Sequence, residues 1–139
     1  MVDSLILKGS TLTGEIEEVP PSIKNGRRIL YVGAQGFKRP ISARSQKAIA
    51  FYGRMRDLYF VAISEGKLDA LAVPLEGRLS LDAVIYMDDQ SKRDLDIESL
   101  KDALQAAGLV KNDFDFWRIS MRREIDRFRP RVSFVVRVE

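Results

Sequence analysis

The chain has 139 residues, including 23 lysines and arginines and 20 aspartates and glutamates, but neither histidine nor cysteine. Its length predicts one domain, and the missing cysteines exclude disulfide bonds, thiolate nucleophiles and Cys-ligated zinc or iron–sulfur sites. The missing histidines exclude a Ser-His triad, so any bound metal must use oxygen ligands and is expected to be magnesium, manganese or calcium. No apolar run is long enough to cross a membrane and no leader pattern occurs, so we expect a soluble, intracellular protein.

The net charge of +3 is unevenly distributed. No acidic residue occurs from Val19 to Arg56, although this segment carries nine basic residues. An acid-free segment can lie on phosphates without repelling them, which favours nucleic-acid binding, whereas ordinary solvated loops and helix faces are the alternative. The residues of this segment that we expect to contact DNA are Arg27, Arg28, Lys38, Arg39, Arg44 and Lys47.

The N-terminal third is predicted to be extended, with short strands at Leu5–Leu7 and Ile29–Val32. Pro40-Ile41-Ser42 is predicted to open the longest helix, with Ser42 as its N-cap and Ile63 near its end. Arg54 and Arg56 fall largely off the apolar face of this helix and are therefore available to a partner. That face comprises Ala48, Ile49, Phe51, Tyr52, Met55, Leu58, Tyr59, Ala62 and Ile63.

The rest of the chain alternates strands and helices. Strict alternation predicts a half-buried strand over Leu79–Met87, and helical spacing predicts a short helix over Ile97–Ala107 that Gly108 ends. The order ββ-α-β-α-ββ predicts a single α+β domain over residues 1–139, with a mixed, mostly antiparallel sheet and two helices on one face. The last two strands are expected to hold Trp117, Ile119 and Met121, then Val132, Phe134, Val136 and Val138, with Glu124–Pro130 between them.

Three aspartates are candidates for catalysis. Asp94 and Asp96 stand two apart before the short helix and would point the same way in an extended segment, so a cation between them would offset their repulsion. Asp113 follows the Gly108 turn, which could bring it near the pair. Three such carboxylates would suit magnesium. Alternatively, the first two only cap the helix and Asp113 only forms a turn after Asn112.

The same region resembles a known nuclease family. Lys92-Arg93-Asp94-Leu95-Asp96, the stretch Leu100–Leu109 and Asn112-Asp113 resemble the RusA family of Holliday junction resolvases. That family carries a basic residue before Asp-Leu-Asp-Asn, then a helix with Asp-Ala-Leu and Ala-Gly, then an acidic pair. The resemblance is strong over Arg93–Asp113 and fainter from about Ser42 to Val138.

The resemblance implies a function and a site. Asp94, Asp96 and Asp113 match the family's metal-binding aspartates, which implies Mg²⁺, for which Mn²⁺ can substitute. Lys101 is the lysine nearest to the family's catalytic lysine, whose own position is Leu100 here, and Ile97 replaces the family's Asn. The implied activity is paired nicking of four-way DNA junctions by a homodimer, with phosphodiester hydrolysis by metal-activated water.

The implied setting is the cytoplasm of a bacterium, near the nucleoid, with the chain encoded by the bacterium or a phage. Two other functions remain open from the residues themselves. One is a non-catalytic module that binds branched DNA on the same fold. The other is an unrelated regulatory or structural domain whose acids only cap a helix, and it should show no salt-dependent DNA binding. Glu98 replaces the polar group that Ile97 lacks, or adds a ligand, or is an ordinary glutamate of the first helical turn.

Overall fold

A mixed sheet with two helices on it forms the core of the protein. The computed structural model describes residues 3–21, 27–32, 39–44, 46–88 and 97–139, and the described side chains are those of 3–21, 46–88 and 97–139. In chain order the elements are β1 (Ser4–Lys8), β2 (Thr11–Ile16), β3 (Arg27–Val32), β4 (Arg39–Arg44), α1 (Gln46–Ser64), β5 (Leu79–Met87), α2 (Glu98–Ala106), β6 (Phe116–Ile125) and β7 (Arg131–Val138).

The main sheet has five strands in the order β1-β2-β7-β5-β6. β5 runs parallel to β6, whereas the pairings β1 with β2, β2 with β7 and β5 with β7 are antiparallel. The predicted α+β domain with a mixed, mostly antiparallel sheet is therefore confirmed. The predicted order is also confirmed, although the segment before α1 contains β2 and β4 in addition to the two strands expected there.

The alternation on β5 produces one face of the core. Its odd-numbered side chains, from Leu79 to Met87, are at most 2 % exposed. They share a single apolar cluster with Phe51 and Met55 of α1 and with Leu100 and other residues of α2. Both helices therefore pack on the same face of the sheet, as alternation on the strand and three- to four-residue spacing on the helices predict.

The first helix begins later than predicted. Residues 39–44 form β4, which pairs antiparallel with β3, and α1 begins at Gln46. The prediction that Pro40-Ile41-Ser42 opens the helix, with Ser42 as N-cap, is therefore wrong. Proline keeps the residue before it extended and β-branched Ile41 favours a strand, so this segment pairs with β3 instead.

The buried face of α1 is close to the predicted one. Ala48, Phe51, Met55, Leu58 and Ala62 are buried, as expected. In contrast, Ile49, which was expected on this face, is exposed. No helix in the described part of the chain is long and apolar enough to cross a membrane.

Strand β6 differs most from its expected environment. Trp117, Ile119 and Met121 were expected to form an apolar face, yet all three side chains are exposed. β6 is the terminal strand of the sheet and pairs only with β5 within it. Because neither helix makes extensive contact with β6 in the described structure, the alternation of its residues does not lead to burial.

The turn after α2 returns the chain to the sheet. Gly108 has a φ of 84°, a left-handed conformation that glycine adopts without steric cost, and it ends the helix as predicted. Leu75 then holds the returning chain: its amide donates to the Leu109 carbonyl (2.8 Å), and its carbonyl accepts from the Lys111 amide (2.9 Å). This connection fixes the start of the loop that carries Asp113.

Candidate active site

One face of α2 is polar along its whole length. Glu98, Lys101, Asp102 and Gln105 lie three or four residues apart and therefore share this face. The opposite face is buried and contains Ser99, Leu100, Ala103 and Leu104. We refer to the four polar residues as the α2 polar face.

Asp113 is attached to the end of the α2 polar face. Its backbone amide donates a hydrogen bond of 3.0 Å to Oε1 of Gln105. Asp113 begins a 3₁₀ turn, Asp113–Asp115, whose N-cap is Asn112. The Asn112 side chain caps this turn by accepting a 3.0 Å hydrogen bond from the Phe114 amide. The predicted turn at Asn112-Asp113 is thus present, and it places Asp113 beside the last turn of α2.

An open groove of about 460 Å³ lies where α1, α2 and this turn meet. The Tyr52 hydroxyl of α1 reaches Oδ2 of Asp102 at 3.4 Å across the groove. Two carboxylates, those of Asp102 and Asp113, therefore line one concave surface. The groove residues are Tyr52, Asp102, Gln105, Ala106 and Asp113.

Lys101 is held at the other end of the α2 polar face. Its Nζ forms an ion pair with Oε1 of Glu98 at 3.2 Å, and its side chain is only 13 % exposed. Glu98 therefore has a partner in the first helical turn, which agrees with the ordinary role considered for it. A phosphate could recruit Lys101 only by competing with the Glu98 carboxylate.

The start of α2 bears on the capping alternative. The N-cap position is occupied by Ile97, which has no side-chain cap hydrogen bond and packs against the core. Ile97 nevertheless has the helical dihedral angles φ −80° and ψ −15°, and its carbonyl accepts a 3.1 Å hydrogen bond from the Lys101 amide, so it already belongs to the helix. The alternative in which Asp94 and Asp96 only cap the helix is therefore still open, and both residues lie outside the described part of the chain.

Asp94 and Asp96 themselves lie outside the described residues. In the chain, Asp96 directly precedes α2, whereas Asp113 contacts Gln105 in the last turn of α2. The two ends of α2 are two helical turns, about 10 Å, apart. Among residues 3–21, 46–88 and 97–139, no three acidic side chains are grouped closely enough to hold a metal ion. The convergence of Asp94, Asp96 and Asp113 remains a prediction.

The donor chemistry of the groove fits magnesium. Asp102 and Asp113 offer carboxylate oxygens, which are the ligands that Mg²⁺ prefers in proteins, and the groove is open to solvent. Mg²⁺ is commonly held by one or two carboxylates and keeps several of its waters. Asp102 and Asp113 are thus the two carboxylates that line this groove, and Asp94 and Asp96 would have to reach along α2 to join them.

The predicted DNA-binding residues are distributed over three elements. Arg27 and Arg28 lie on β3, Arg39 and Arg44 lie on β4, and Lys47 is exposed near the start of α1. The strand register places Arg27 directly opposite Arg44. Lys38 lies outside the described residues.

Arg54 has a different role from the one expected. It donates to Oδ2 and Oδ1 of Asp3 at 2.6 Å and 3.0 Å and reaches Glu18 at 3.4 Å. Asp3 also accepts from the Glu17 amide at 2.9 Å. Arg54 therefore ties α1 to the N-terminal hairpin rather than facing a partner.

Sequence reasoning missed Tyr52, Asp102 and Gln105 as residues of the groove. Tyr52 was assigned to the apolar core; it packs against that core only partly buried, and its hydroxyl reaches Asp102. The signal for the other two was the spacing of Lys101, Asp102 and Gln105 on the face opposite Leu100 and Leu104. That spacing predicts a shared face but not the contact with Asp113.

Comparison with known proteins adds no family to this geometry. No protein-family model matches the chain, and no curated protein sequence matches it significantly. Functional inference therefore depends on the groove, the charge distribution and the resemblance in Arg93–Asp113.

Proposed function

We propose that this protein is a Mg²⁺-dependent, structure-selective endodeoxyribonuclease that resolves four-way DNA junctions by paired nicks. The observation that carries the proposal is the hydrogen bond that holds Asp113 beside the α2 polar face. It directs a carboxylate-bearing turn into a groove that already contains Asp102. The Asp94-Leu95-Asp96 segment precedes the other end of the same helix, so a shared site requires this segment to reach back along the α2 polar face.

In this proposal, Asp94, Asp96 and Asp113 hold the ion, with Asp102 in the groove beside them. Mg²⁺ bound there would supply a nucleophilic water and neutralise charge on the scissile phosphate, so no histidine is needed. Oε1 of the Gln105 side chain positions Asp113 by accepting a hydrogen bond from the Asp113 backbone amide. Lys101 stabilises the phosphate charge once it leaves Glu98.

The acid-free segment supplies the DNA contacts. Arg27 and Arg44 occupy facing positions in the register of β3 and β4, and both residues carry a positive charge that a DNA phosphate would neutralise. Lys47 lies exposed at the start of α1, the next element along the chain. Arg28, Lys38 and Arg39 complete the proposed contacts, and the binding should weaken steeply with salt.

The proposal includes a homodimer and a place in the cytoplasm near the nucleoid. A four-way junction has twofold symmetry, so a twofold enzyme can nick two opposed strands symmetrically. The resemblance to RusA resolvases supports this assembly. A site on each copy then accounts for two nicks.

The test is cleavage of a synthetic four-way junction with Mg²⁺, compared with linear duplex of the same arm sequence. We expect paired nicks in the junction, none in the duplex, and loss of cleavage in Asp94→Asn and Asp96→Asn with binding retained. A wild-type protein that binds junctions but never cuts them with Mg²⁺ or Mn²⁺ would refute the enzymatic proposal.

A non-catalytic protein that binds branched DNA is the second candidate. The Lys101–Glu98 ion pair favours it, because the nearest candidate for a catalytic lysine already has a carboxylate partner. Junction binding unchanged by Asp94→Asn, Asp96→Asn and Asp113→Asn, together with melting unaffected by divalent ions, would support this candidate.

A further inference from the structure

Strand β6 presents an apolar row along an open edge of the main sheet. Ile119, Met121 and Ile125 are 41 %, 38 % and 53 % exposed. β6 pairs with β5 on one side and has no neighbouring strand on the other in the described sheet. An edge of this kind offers unpaired backbone groups to another strand.

These side chains continue the core face of the sheet. Ile119, Met121 and Ile125 stand opposite Leu81, Ala83 and Met87 of β5, and paired residues point to the same face. The β5 partners are at most 2 % exposed. The core face therefore extends beyond the area that the described helices cover, and the side chains on this face of β6 are partly exposed.

The two edges of the sheet differ. β1, at the opposite edge, has five residues, and its Leu7 amide donates to the Lys67 carbonyl at 2.9 Å, so the chain after α1 partly covers it. β6 has ten residues. The longer edge thus lacks such a cover in the described structure and also carries exposed apolar side chains, a combination that favours association with another strand.

We propose that β6 pairs antiparallel with β6 of a second copy of this chain, around a twofold axis at Met121. The pairing would join two sheets edge to edge and reduce the exposure of Ile119, Met121 and Ile125, with Met121 packing against its own counterpart. This interface is the surface through which the homodimer of the proposed function would form. The role of the dimer rests on that proposed function.

Symmetry restricts the register to a few choices. Directly opposite residues of an antiparallel strand pair point to the same face of the sheet. In a pair of identical strands related by a twofold axis, one residue must therefore face its own copy, and the axis lies between these two copies. Axes at Ser120 and Met121 allow the longest overlap of a strand over Phe116–Ile125. The axis at Ser120 would place Arg118 opposite Arg122 of the other copy, a like-charge pair.

The axis at Met121 is favoured by charge complementarity. It places Arg118 opposite Glu124 of the other copy and Met121 opposite its own counterpart, with Ile119 beside the aliphatic part of Arg123. Opposite charges at directly facing positions stabilise a strand pair, whereas like charges destabilise it. Of the two longest registers, only this one avoids facing arginines.

The ends of β6 provide a separate argument. Phe114 precedes the strand and is 85 % exposed, and Phe128 follows it and is 94 % exposed. Antiparallel pairing brings the start of one strand to the end of the other. Two large exposed aromatic side chains, one from each copy, would then meet at both ends of the interface.

The test uses the absence of native cysteine from the chain. Met121→Cys would face its own counterpart at a Cα separation of about 5 Å, within disulfide range. Ile119→Cys, the matched control on the same face, would lie about 14 Å from its counterpart and should not cross-link. Both variants are oxidised mildly over a dilution series and analysed on non-reducing gels.

We expect wild type to sediment as a dimer, Met121→Asp to sediment as a monomer, and Met121→Cys to cross-link at least about tenfold faster than Ile119→Cys. A monomeric wild type would overturn the proposal. A dimer whose Met121→Cys variant fails to cross-link, or cross-links no faster than Ile119→Cys, would overturn the assigned interface.

These measurements use neither DNA nor Mg²⁺. A β6-linked dimer that cuts no junction would contradict the nuclease and support the interface. A nuclease that remains monomeric would support the activity and contradict the interface. The two proposals can therefore fail separately.

Discussion

The Asp113 amide donates to Oε1 of Gln105 at 3.0 Å, and this contact joins the turn after α2 to the helix itself. Gln105 contributes only an acceptor, so its effect on chemistry would act through the position of Asp113. Both residues lie in Arg93–Asp113, where the sequence resemblance is strongest, and both line the groove that contains the Asp102 and Asp113 carboxylates.

Gln105→Ala should lower junction cleavage about 10- to 100-fold, the usual cost of losing a group that orients a metal ligand. The Mg²⁺ concentration for half-maximal cleavage should rise at the same time, a shift that general destabilisation would not produce. Gln105→Glu keeps an acceptor oxygen and should restore most of the activity. Unchanged Mg²⁺ dependence in Gln105→Ala would contradict a positioning role.

Arg54→Met should reduce the free energy of unfolding by about 1 kcal/mol, because the paired hydrogen bonds to Asp3 are lost but the guanidinium is partly solvated. Arg56→Met, an exposed site on the same helix, is the control and should change stability by less than about 0.5 kcal/mol. Urea unfolding measures both variants. Equal effects would show that Arg54 contributes no specific contact.

The pH dependence of stability should reflect Asp3. Burial alone would raise the pKa of Asp3, but the hydrogen bonds from Arg54 and the Glu17 amide, with the charge of Arg54, lower it below its usual value. A carboxyl group with a lowered folded pKa stabilises the protein above its unfolded pKa of about 3.9, and that contribution disappears as pH falls through the folded pKa.

The difference in unfolding free energy between wild type and Asp3→Asn should therefore be constant from pH 7 to about 5 and shrink below about 4. Urea unfolding across this range measures it. A difference that increases on acidification would contradict the assigned direction of the pKa shift.

Gly14→Ala should destabilise the protein by about 1–3 kcal/mol, because a Cβ at Gly14 would overlap the buried Phe134 ring on the paired strand. Gly53→Ala provides the control in α1, where a Cβ meets nothing within 4 Å. That change should stabilise the protein by up to about 1 kcal/mol, through helix propensity. Thermal unfolding of the two variants should thus shift in opposite directions.

Much of the fold could be predicted from the sequence wherever the spacing of apolar residues along an element matches the side chains that the core buries. β5 was predicted with its observed bounds, and α2 within one residue at each end, because the face that each pattern marks as apolar is the face that the core buries. Pro40-Ile41-Ser42 was misassigned because local capping patterns cannot reveal the pairing with β3. β2 was missed because Gly14 and Glu15 weaken its alternation, and the partner that makes it a central strand lies at the far end of the chain.

The candidate site could be predicted only in part. The position of Asp113 after the Gly108 turn was readable, whereas its contact with Gln105 depends on the return of the chain past Leu75. The apolar face of β6 was also readable, but its exposure was not, since alternation shows which side chains share a face and not whether another element covers it.

Cleavage of a pre-bound four-way junction by wild type, Asp113→Asn and Asp115→Asn tests the central claim most directly. Asp115 lies on the same 3₁₀ turn but does not line the groove, so its variant controls for changes in the turn. We predict Mg²⁺-dependent nicking by wild type and Asp115→Asn, and a loss of at least about 100-fold in Asp113→Asn with binding retained. Equal cleavage by Asp113→Asn and wild type, or no cleavage by any of the three proteins, would contradict it.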